Sequence, residues 1–374
     1  MGKAHSHAYK DVGMFFDLPA QPVMKALCGR DEAGVKEAAA KFGWESYETS
    51  WEALLQREDI DLVDITAPSD AHREIVEAAA QAGKHVFCEK PLALNLEDSV
   101  AMWRAAEKAG IKHMVGFNYR RVPAVQLAKR LIDEGAIGEI RHFRGTYLQD
   151  FIVDPDFPLV WRLKREIAGS GPLGDLASHL IDIAHFLVGD IGEVIGMEKT
   201  FIKERQIPSS MTGLSATSKG GAMGKVTVED ATNFLFQFDN GALGSIEASR
   251  MCPGRKNYQT FEINASEGSL SFSFERMNEL EFFSRSDASY AQGFRTIQVT
   301  EPEHAYVEAW WPPGHVIGYE HTFIHEVKDL IEAIAADKMP QPSFADGVKC
   351  QAVVDSVIES AKTRRWVEVP KVTL

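Results

Sequence analysis

The residues best suited to proton chemistry fall in two clusters. The first is Glu89-Lys90-Pro91, where the apolar run 85–88 ends abruptly in an acid, a lysine and a proline. A lysine where a buried strand meets a loop is partly desolvated, which lowers its pKa and suits it to proton transfer or to polarising an oxygen. A solvated turn pair before a helix-starting proline is the plain alternative. The second cluster is Asp175, His179, Asp182 and His185, whose spacings of three and four bring them near one helical face. Three chemistries are open to that face. It can cap the helix and make core hydrogen bonds, with Asp175 in a first turn where an acid is favoured. It can ligate zinc or manganese. It can carry out acid–base catalysis, with Asp175 orienting His179 and stabilising its protonated form.

Residues 22–120 alternate short apolar runs with helical patterns, as parallel strand–helix–strand units do. Strands are expected at 23–28, 62–66, 85–88 and 112–115, and helices at 32–42, 71–82 and 96–109, closed by Gly43, Gly83 and Gly110. This pattern predicts an α/β, Rossmann-like doubly wound parallel sheet over residues 1–120, with ligands at the carboxyl ends of its strands. Lys90 stands at one of those ends. Such a domain opens on an apolar strand leading into Gly-x-Gly-x-x-Gly. Here Met1-Gly2-Lys3-Ala4-His5-Ser6-His7-Ala8 reads as the last part of that fingerprint, with Gly2 as its third glycine. Met1 is therefore expected to be an internal methionine of a longer protein whose upstream segment supplies the first, central strand.

After residue 115 the pattern changes, and residues 121–374 are expected to form an α+β domain with a large, open, mostly antiparallel sheet. Helices are expected at 123–134, 174–188, 323–334 and 348–361, and strands at 139–151, 232–238, 243–248, 261–264, 270–274 and 280–283. Asp239-Asn240-Gly241 signals a hairpin, and residues 206–224, rich in Ser, Gly and Thr, read as a flexible loop. An open sheet leaves one face bare, and if that face is apolar a second subunit covers it. A homodimer or homotetramer is expected.

With 54 acidic against 40 basic residues the net charge is -14, which leaves no basic stripe for a nucleic acid. No apolar run approaches the ~20 residues that span a bilayer. The four cysteines show no paired spacing, so the simplest setting is reducing and cytoplasmic.

The combination of motifs resembles the Gfo/Idh/MocA family of NAD(P)-dependent sugar and inositol oxidoreductases. Resemblance extends over nearly the whole chain: Thr66-Ala67-Pro68 with His72, Glu89-Lys90-Pro91, Gly116-Phe117-Asn118-Tyr119-Arg120-Arg121, Trp161-Arg162, Asp175-x-x-x-His179-x-x-Asp182, Glu267-Gly268-Ser269-Leu270 and Phe344-Ala345-Asp346-Gly347. Tyr147-Leu148-Gln149-Asp150 and Trp310-Trp311-Pro312-Pro313-Gly314-His315 look most like its levoglucosan dehydrogenase branch and nearby inositol dehydrogenases.

The resemblance implies a catalytic trio of Lys90, Asp175 and His179. His179 would take the proton of the substrate hydroxyl as hydride passes to the nicotinamide. Lys90 would hold and polarise the same oxygen, and Asp175 would fix the histidine and contact a neighbouring hydroxyl. Whether Lys90 or His179 is the formal base stays open, since desolvation can bring either to neutrality near pH 7. A cis Lys90–Pro91 bond would turn the lysine towards the nicotinamide.

Cofactor contacts are expected from Gly2, Ala4 and His5 at the phosphates and from Gly29 and Arg30 at the adenosine. Thr66, Pro68, His72, Glu89, Lys90, Asn118, Trp161 and Arg162 complete the set. Arg30 would suit the 2′-phosphate of NADP, while Asp31 keeps NAD open. Tyr147, Gln149, His315 and Tyr319, with Lys90, Asn118, Asp175 and His179, are the candidate contacts of a small sugar or polyol. Two other readings compete: a non-catalytic nucleotide- or sugar-sensing member of the same fold, and a metal-dependent sugar isomerase using the Asp175 to His185 face. An inactive fragment lacking its phosphate loop is a third.

Overall fold

The computed structural model describes residues 1–208 and 221–373. The chain opens with helix α1 (Gly2–Phe15), followed by β1 (Ala26–Cys28), α2 (Glu32–Phe42), β2 (Ser46–Glu48), α3 (Trp51–Leu55) and β3 (Leu62–Ile65). Next come α4 (His72–Gln81), β4 (His85–Cys88), α5 (Leu96–Ala109) and β5 (His113–Val115). Local chemistry sets several boundaries. Asn95 caps α5 by accepting from the Asp98 N–H, and Gly110 closes it in the left-handed conformation at φ 68°. The short β2 and α3 carry too few periodic residues to be legible in the sequence.

All strands of this part run parallel, in two ladders, β1-β2 and β3-β4-β5. One edge of β1 and one of β3 have no partner strand among the described residues. The carboxyl ends of β3, β4 and β5 lead respectively into Thr66, Glu89-Lys90 and Gly116-Phe117-Asn118, so three candidate site segments leave one edge of the sheet together.

The second part contains α6 (Pro123–Asp133), β6 (Ile140–Leu148), α7 (Arg165–Ala168), a π-helical turn over Leu173–Ala177, and α8 (Ser178–Leu187). Strands β7 (Ile191–Lys199), β8 (Glu204–Gln206), β9 (Met223–Lys225), β10 (Ala231–Phe238), β11 (Leu243–Ser249), β12 (Tyr258–Ala265), β13 (Gly268–Ser273), β14 (Glu279–Ser284) and β15 (Arg295–Gln298) follow. Helices α9 (Tyr319–Ala335) and α10 (Phe344–Thr363) and strand β16 (Val367–Glu368) close the chain. Nine strands form one sheet in the order β15-β14-β13-β12-β6-β11-β10-β7-β16, antiparallel except at the β6/β11 pair.

Three expectations change here. The strand foreseen over 139–151 stops at Leu148, where the chain turns towards the site. The loop foreseen at 206–224 has strand-paired flanks, β8 against β9, while its middle, 209–220, lies outside the described residues. The helix foreseen over 174–188 begins with a π turn, a widening common at functional sites.

The sheet alternates as a half-buried surface must. Phe234, Phe236 and Phe238 of β10 face the helices with Phe143, Phe261 and Phe272, and each such burial stabilises by roughly 1.5–3 kcal/mol. The opposite face is mixed. Leu235 lies between Ile195 and Ser245, close to the exposed Met197 and Leu243, while Arg144 pairs with Glu262 further along.

The closing helices return to the first part of the chain. Ala8, Tyr9 and Val12 of α1 pack on Phe323, Ile324 and Val327 of α9. Helix α10 lies against α5, α8 and β7. Its cap explains one of the motifs. Ser343 and Asp346 form a capping box, Asp346 also accepts from Arg120, and a Cβ on Gly347 would fall 2.8 Å from Leu92.

Candidate active site

Lys90 and Asp175, distant in sequence, meet between the two parts of the chain. Lys90 Nζ donates to the Asp175 carbonyl at 2.7 Å and to its Oδ1 at 3.0 Å. The Lys90–Pro91 peptide is cis, as the sequence suggested. Asp175 belongs to the π turn, whose start is fixed by Glu229: its buried carboxylate accepts the Leu173 N–H at 3.0 Å. Glycine is required at 171, where a Cβ would sit 2.0 Å from the Glu229 carbonyl oxygen.

The other oxygen of Asp175 is held by a residue the sequence did not reveal. Arg250, fully buried just beyond β11, donates to Oδ2 at 2.6 Å. Burial alone would raise the Asp175 carboxyl, but Lys90, Arg250 and Arg162 outweigh it and hold the group well below the usual carboxylate range. Only a polar residue ending an alternating strand pattern could have pointed to Arg250.

His179 lies one turn further on and is 6 % exposed. Its ring is 4.4 Å from Tyr119, with Phe117 and Tyr147 at 6.1 Å. Asp175 was expected to fix this imidazole; instead no hydrogen bond joins them, and His179 Nδ1 has no partner among the described residues. Lys90 and Arg250 each hold one Asp175 oxygen, and the pair of contacts sets the direction of the carboxylate. Burial, and after it the charge of Lys90, push His179 well below the usual histidine range, with Asp175 opposing only in part. This favours the neutral ring, which can accept a proton.

The rest of that helical face does other work. Asp182 is buried and forked on Arg120, from Nε at 2.8 Å and Nη2 at 2.5 Å, and burial raises it to about 6. Burial lowers His185 to about 4. The face thus divides into a site half, Asp175 and His179, and a core half.

Beside His179 runs a chain of hydrogen bonds. The Tyr119 and Tyr147 hydroxyls lie 2.9 Å apart, and Asn257 Oδ1 accepts from Tyr147 at 2.7 Å and from Gln149 at 2.9 Å. Tyr147 and Gln149 were expected here, whereas Tyr119 and Asn257 were not. Tyr319 meets Tyr119 at a tilt and Phe274 edge-on, and is 42 % exposed. Asn118 donates to Thr322 at 2.8 Å. His315 is exposed with Nδ1 on the Pro312 carbonyl, and no contact joins it to the cluster among the described residues.

Behind Lys90 the expected cofactor residues divide. His5, 3 % exposed, meets Asp64 at 2.8 Å and Glu89 at 3.0 Å, while Glu89 also accepts the Lys90 backbone N–H. His72 is fully buried between the carbonyls of Ala67 and Leu92 and ties the Thr66-Ala67-Pro68 loop to the Lys90-Pro91 loop. Both histidines therefore brace these loops from within.

Gly2, Ala4, Thr66 and Pro68 remain partly accessible, and a Cβ on Gly2 would lie 3.4 Å from Thr66 Oγ1. The first turn of α1 carries no side-chain cap, so its N–H groups suit a pyrophosphate. Gly29 and Arg30 follow β1 directly, with Arg30 exposed. Arg162 lies 4.3 Å over the Trp161 ring, and its guanidinium makes no ion pair among the described residues. These features fit a dinucleotide lying along the carboxyl ends of the parallel strands.

Fold and site together define an NAD-binding oxidoreductase with a separate substrate-side sheet. Residues 1–117 match the oxidoreductase family with the NAD-binding Rossmann fold, and residues 125–271 match the GFO/IDH/MocA C-terminal domain. The chain belongs to the Gfo/Idh/MocA oxidoreductase family. Levoglucosan dehydrogenase of Pseudarthrobacter phenanthrenivorans is 47% identical to it over 100% of this chain and 96% of its own length. The structure of levoglucosan dehydrogenase in complex with NADH and levoglucosan matches with a TM-score of 0.93 at 46% identity, covering 100% of this chain and 98% of that one. An oxidoreductase domain protein from Kribbella flavida matches with a TM-score of 0.94 at 51% identity, covering 99% and 96%. No helix among the described residues is long and apolar enough to cross a membrane.

Proposed function

We propose that this chain oxidises a secondary hydroxyl of a cyclic anhydrosugar, with levoglucosan as the first candidate and NAD as hydride acceptor. The observation that carries the reading is the buried His179, its Nδ1 without a partner among the described residues, beside the Lys90–Asp175 pair and next to a row of polar groups suited to ring hydroxyls. Likeness to levoglucosan dehydrogenase over the whole chain supports the substrate class.

The nicotinamide, when bound, supplies the hydride acceptor. Lys90 donates a hydrogen bond to the reacting oxygen, favouring its negative charge as hydride leaves. His179 takes the hydroxyl proton. As a weak base it does so only when hydride departure has made that proton acidic. Asp175 keeps Lys90 aimed through both its carbonyl and its carboxylate. Tyr119, Tyr147, Gln149, Asn257 and Tyr319 line the sugar side. Gly2, Ala4, Thr66, Pro68, Asn118, Trp161 and Arg162 line the nucleotide side, with residues 1–120 as the dinucleotide domain and 121–374 as the substrate domain. The purified chain is expected to reduce NAD with levoglucosan faster than with open-chain polyols, and more readily than NADP. Absorbance of the reduced nicotinamide across such a panel checks this, and no turnover on any anhydrosugar would reject it.

We further propose that a second copy covers the outer sheet face around Leu235, and that the enzyme works in the cytoplasm. All four cysteines are free thiols, which supports a reducing compartment. Leu235→Glu is expected to shift the molecule from dimer or tetramer towards monomer in light scattering, because a charge replaces an apolar contact on each copy. A native chain that is already monomeric would refute the assembly.

A further inference from the structure

Arg250 joins three segments that the proposed reaction needs together. Its Nη2 donates to Asp175 Oδ2 at 2.6 Å, its Nη1 reaches the Arg162 carbonyl at 3.5 Å, and its guanidinium lies 5.7 Å from the Phe151 ring. The side chain is fully buried, and its Nε has no partner among the described residues. A buried cation with an unsatisfied N–H is costly, so what it holds matters.

Asp175 already has a cation in Lys90, so Arg250 is not needed merely to neutralise it. Its effect is geometric. Lys90 engages Oδ1 and Arg250 engages Oδ2, which fixes the direction of the carboxylate, and His179 Nδ1 has no partner among the described residues. We propose that Arg250 is a positioning residue: by occupying Oδ2 it locks Asp175 onto Lys90, keeps the carboxylate off His179, and couples both to the Trp161–Arg162 turn. The proposal rests on the reading of Lys90, Asp175 and His179 as the catalytic groups.

Asp175 is faced by Lys90 from the end of β4, Arg250 from the end of β11 and Arg162 from its turn. His179 lies on its own helix, and the phenols of Tyr119, Tyr147 and Tyr319 feel its charge. Removing Arg250 takes away one of three cations that keep this carboxyl ionised, and frees the oxygen to turn.

The test compares the native chain with Arg250→Gln and Arg250→Lys, each first shown to be folded by circular dichroism. For Arg250→Gln, kcat is expected to fall roughly 10–100-fold with a smaller change in sugar KM, as misplacement of a reacting group gives. The acid limb of its pH profile moves to higher pH, and Arg250→Lys recovers part of both losses. A reading independent of turnover is the NMR titration of carbon-13 carboxyl-labelled aspartate, with Asp175 identified by its absence in Asp175→Asn. Its midpoint is expected to rise in Arg250→Gln. A folded Arg250→Gln chain with native acid limb and native Asp175 titration would make Arg250 a packing residue and overturn the proposal. If the native chain oxidises no anhydrosugar, the proposed substrate falls while the carboxyl titration still decides the role of Arg250.

Discussion

Alanine at His179 or at Lys90 is expected to lower kcat by roughly 10²–10⁴-fold while NADH affinity stays within about three-fold of native. Neither side chain braces the nucleotide loops, which rest on His5 and His72. The two losses should differ in their pH behaviour. His179→Ala removes the proton acceptor, so added small bases such as imidazole should restore part of its turnover. Lys90→Ala removes a donor aimed at the reacting oxygen and frees Asp175 Oδ1, so external bases should not help. Steady-state rates with nucleotide-binding fluorescence measure both, and near-native turnover in either variant would remove that residue from the proposed chemistry.

His5→Ala is expected to destabilise the fold by about 3–5 kcal/mol near neutral pH, because it leaves the buried Glu89 and the part-buried Asp64 carboxylates without their shared cation. Burial opposes protonation of His5, but Asp64 and Glu89 outweigh it and raise the ring to about 10. A histidine whose folded pKa exceeds its unfolded value near 6.5 contributes fully below that value. The contribution is lost as pH rises through about 10. Glu89 behaves oppositely. Burial would raise it, but His5 and Lys90 hold it below the ordinary value, so its contribution is lost as pH falls through that lowered value. The native chain should therefore lose stability at both ends of the range, with the alkaline fall steeper than in His5→Ala. Denaturant midpoints from about pH 3 to about pH 11 test this, spanning the lowered Glu89 and the raised His5; equal midpoints for the two chains at pH 7 would show that the bridge carries no weight.

The buried acid Glu326 belongs to the same region. Both its oxygens lack partners among the described residues, and burial raises it well above the ordinary carboxylate range. Burial thus favours its neutral form behind the His5 bridge, which limits how much negative charge accumulates there.

Much of the fold was written in local patterns. Regular spacing of apolar residues with closing glycines placed α2, α4, α5 and β4 nearly to the residue, because parallel strands buried on both faces leave continuous apolar runs. Asn240-Gly241 placed the β10–β11 hairpin for the same kind of local reason. Strands β7, β15 and β16 escaped notice, since edge or half-exposed strands carry mixed residues that only the neighbouring strand makes regular.

By itself the sequence determined the class of chemistry: a lysine closing a parallel strand, and an acid and a histidine four residues apart on a helix. Tertiary structure decided how those groups are used. A π turn and a buried arginine from a distant strand direct Asp175 to Lys90, leaving His179 unbridged and its neutral ring favoured. It also turned two expected cofactor histidines inward, since each found two acceptors across loops far apart in the chain. Spacing fixes what lies on one face of one helix, whereas the partner of a charged group is chosen by what the fold brings against that face.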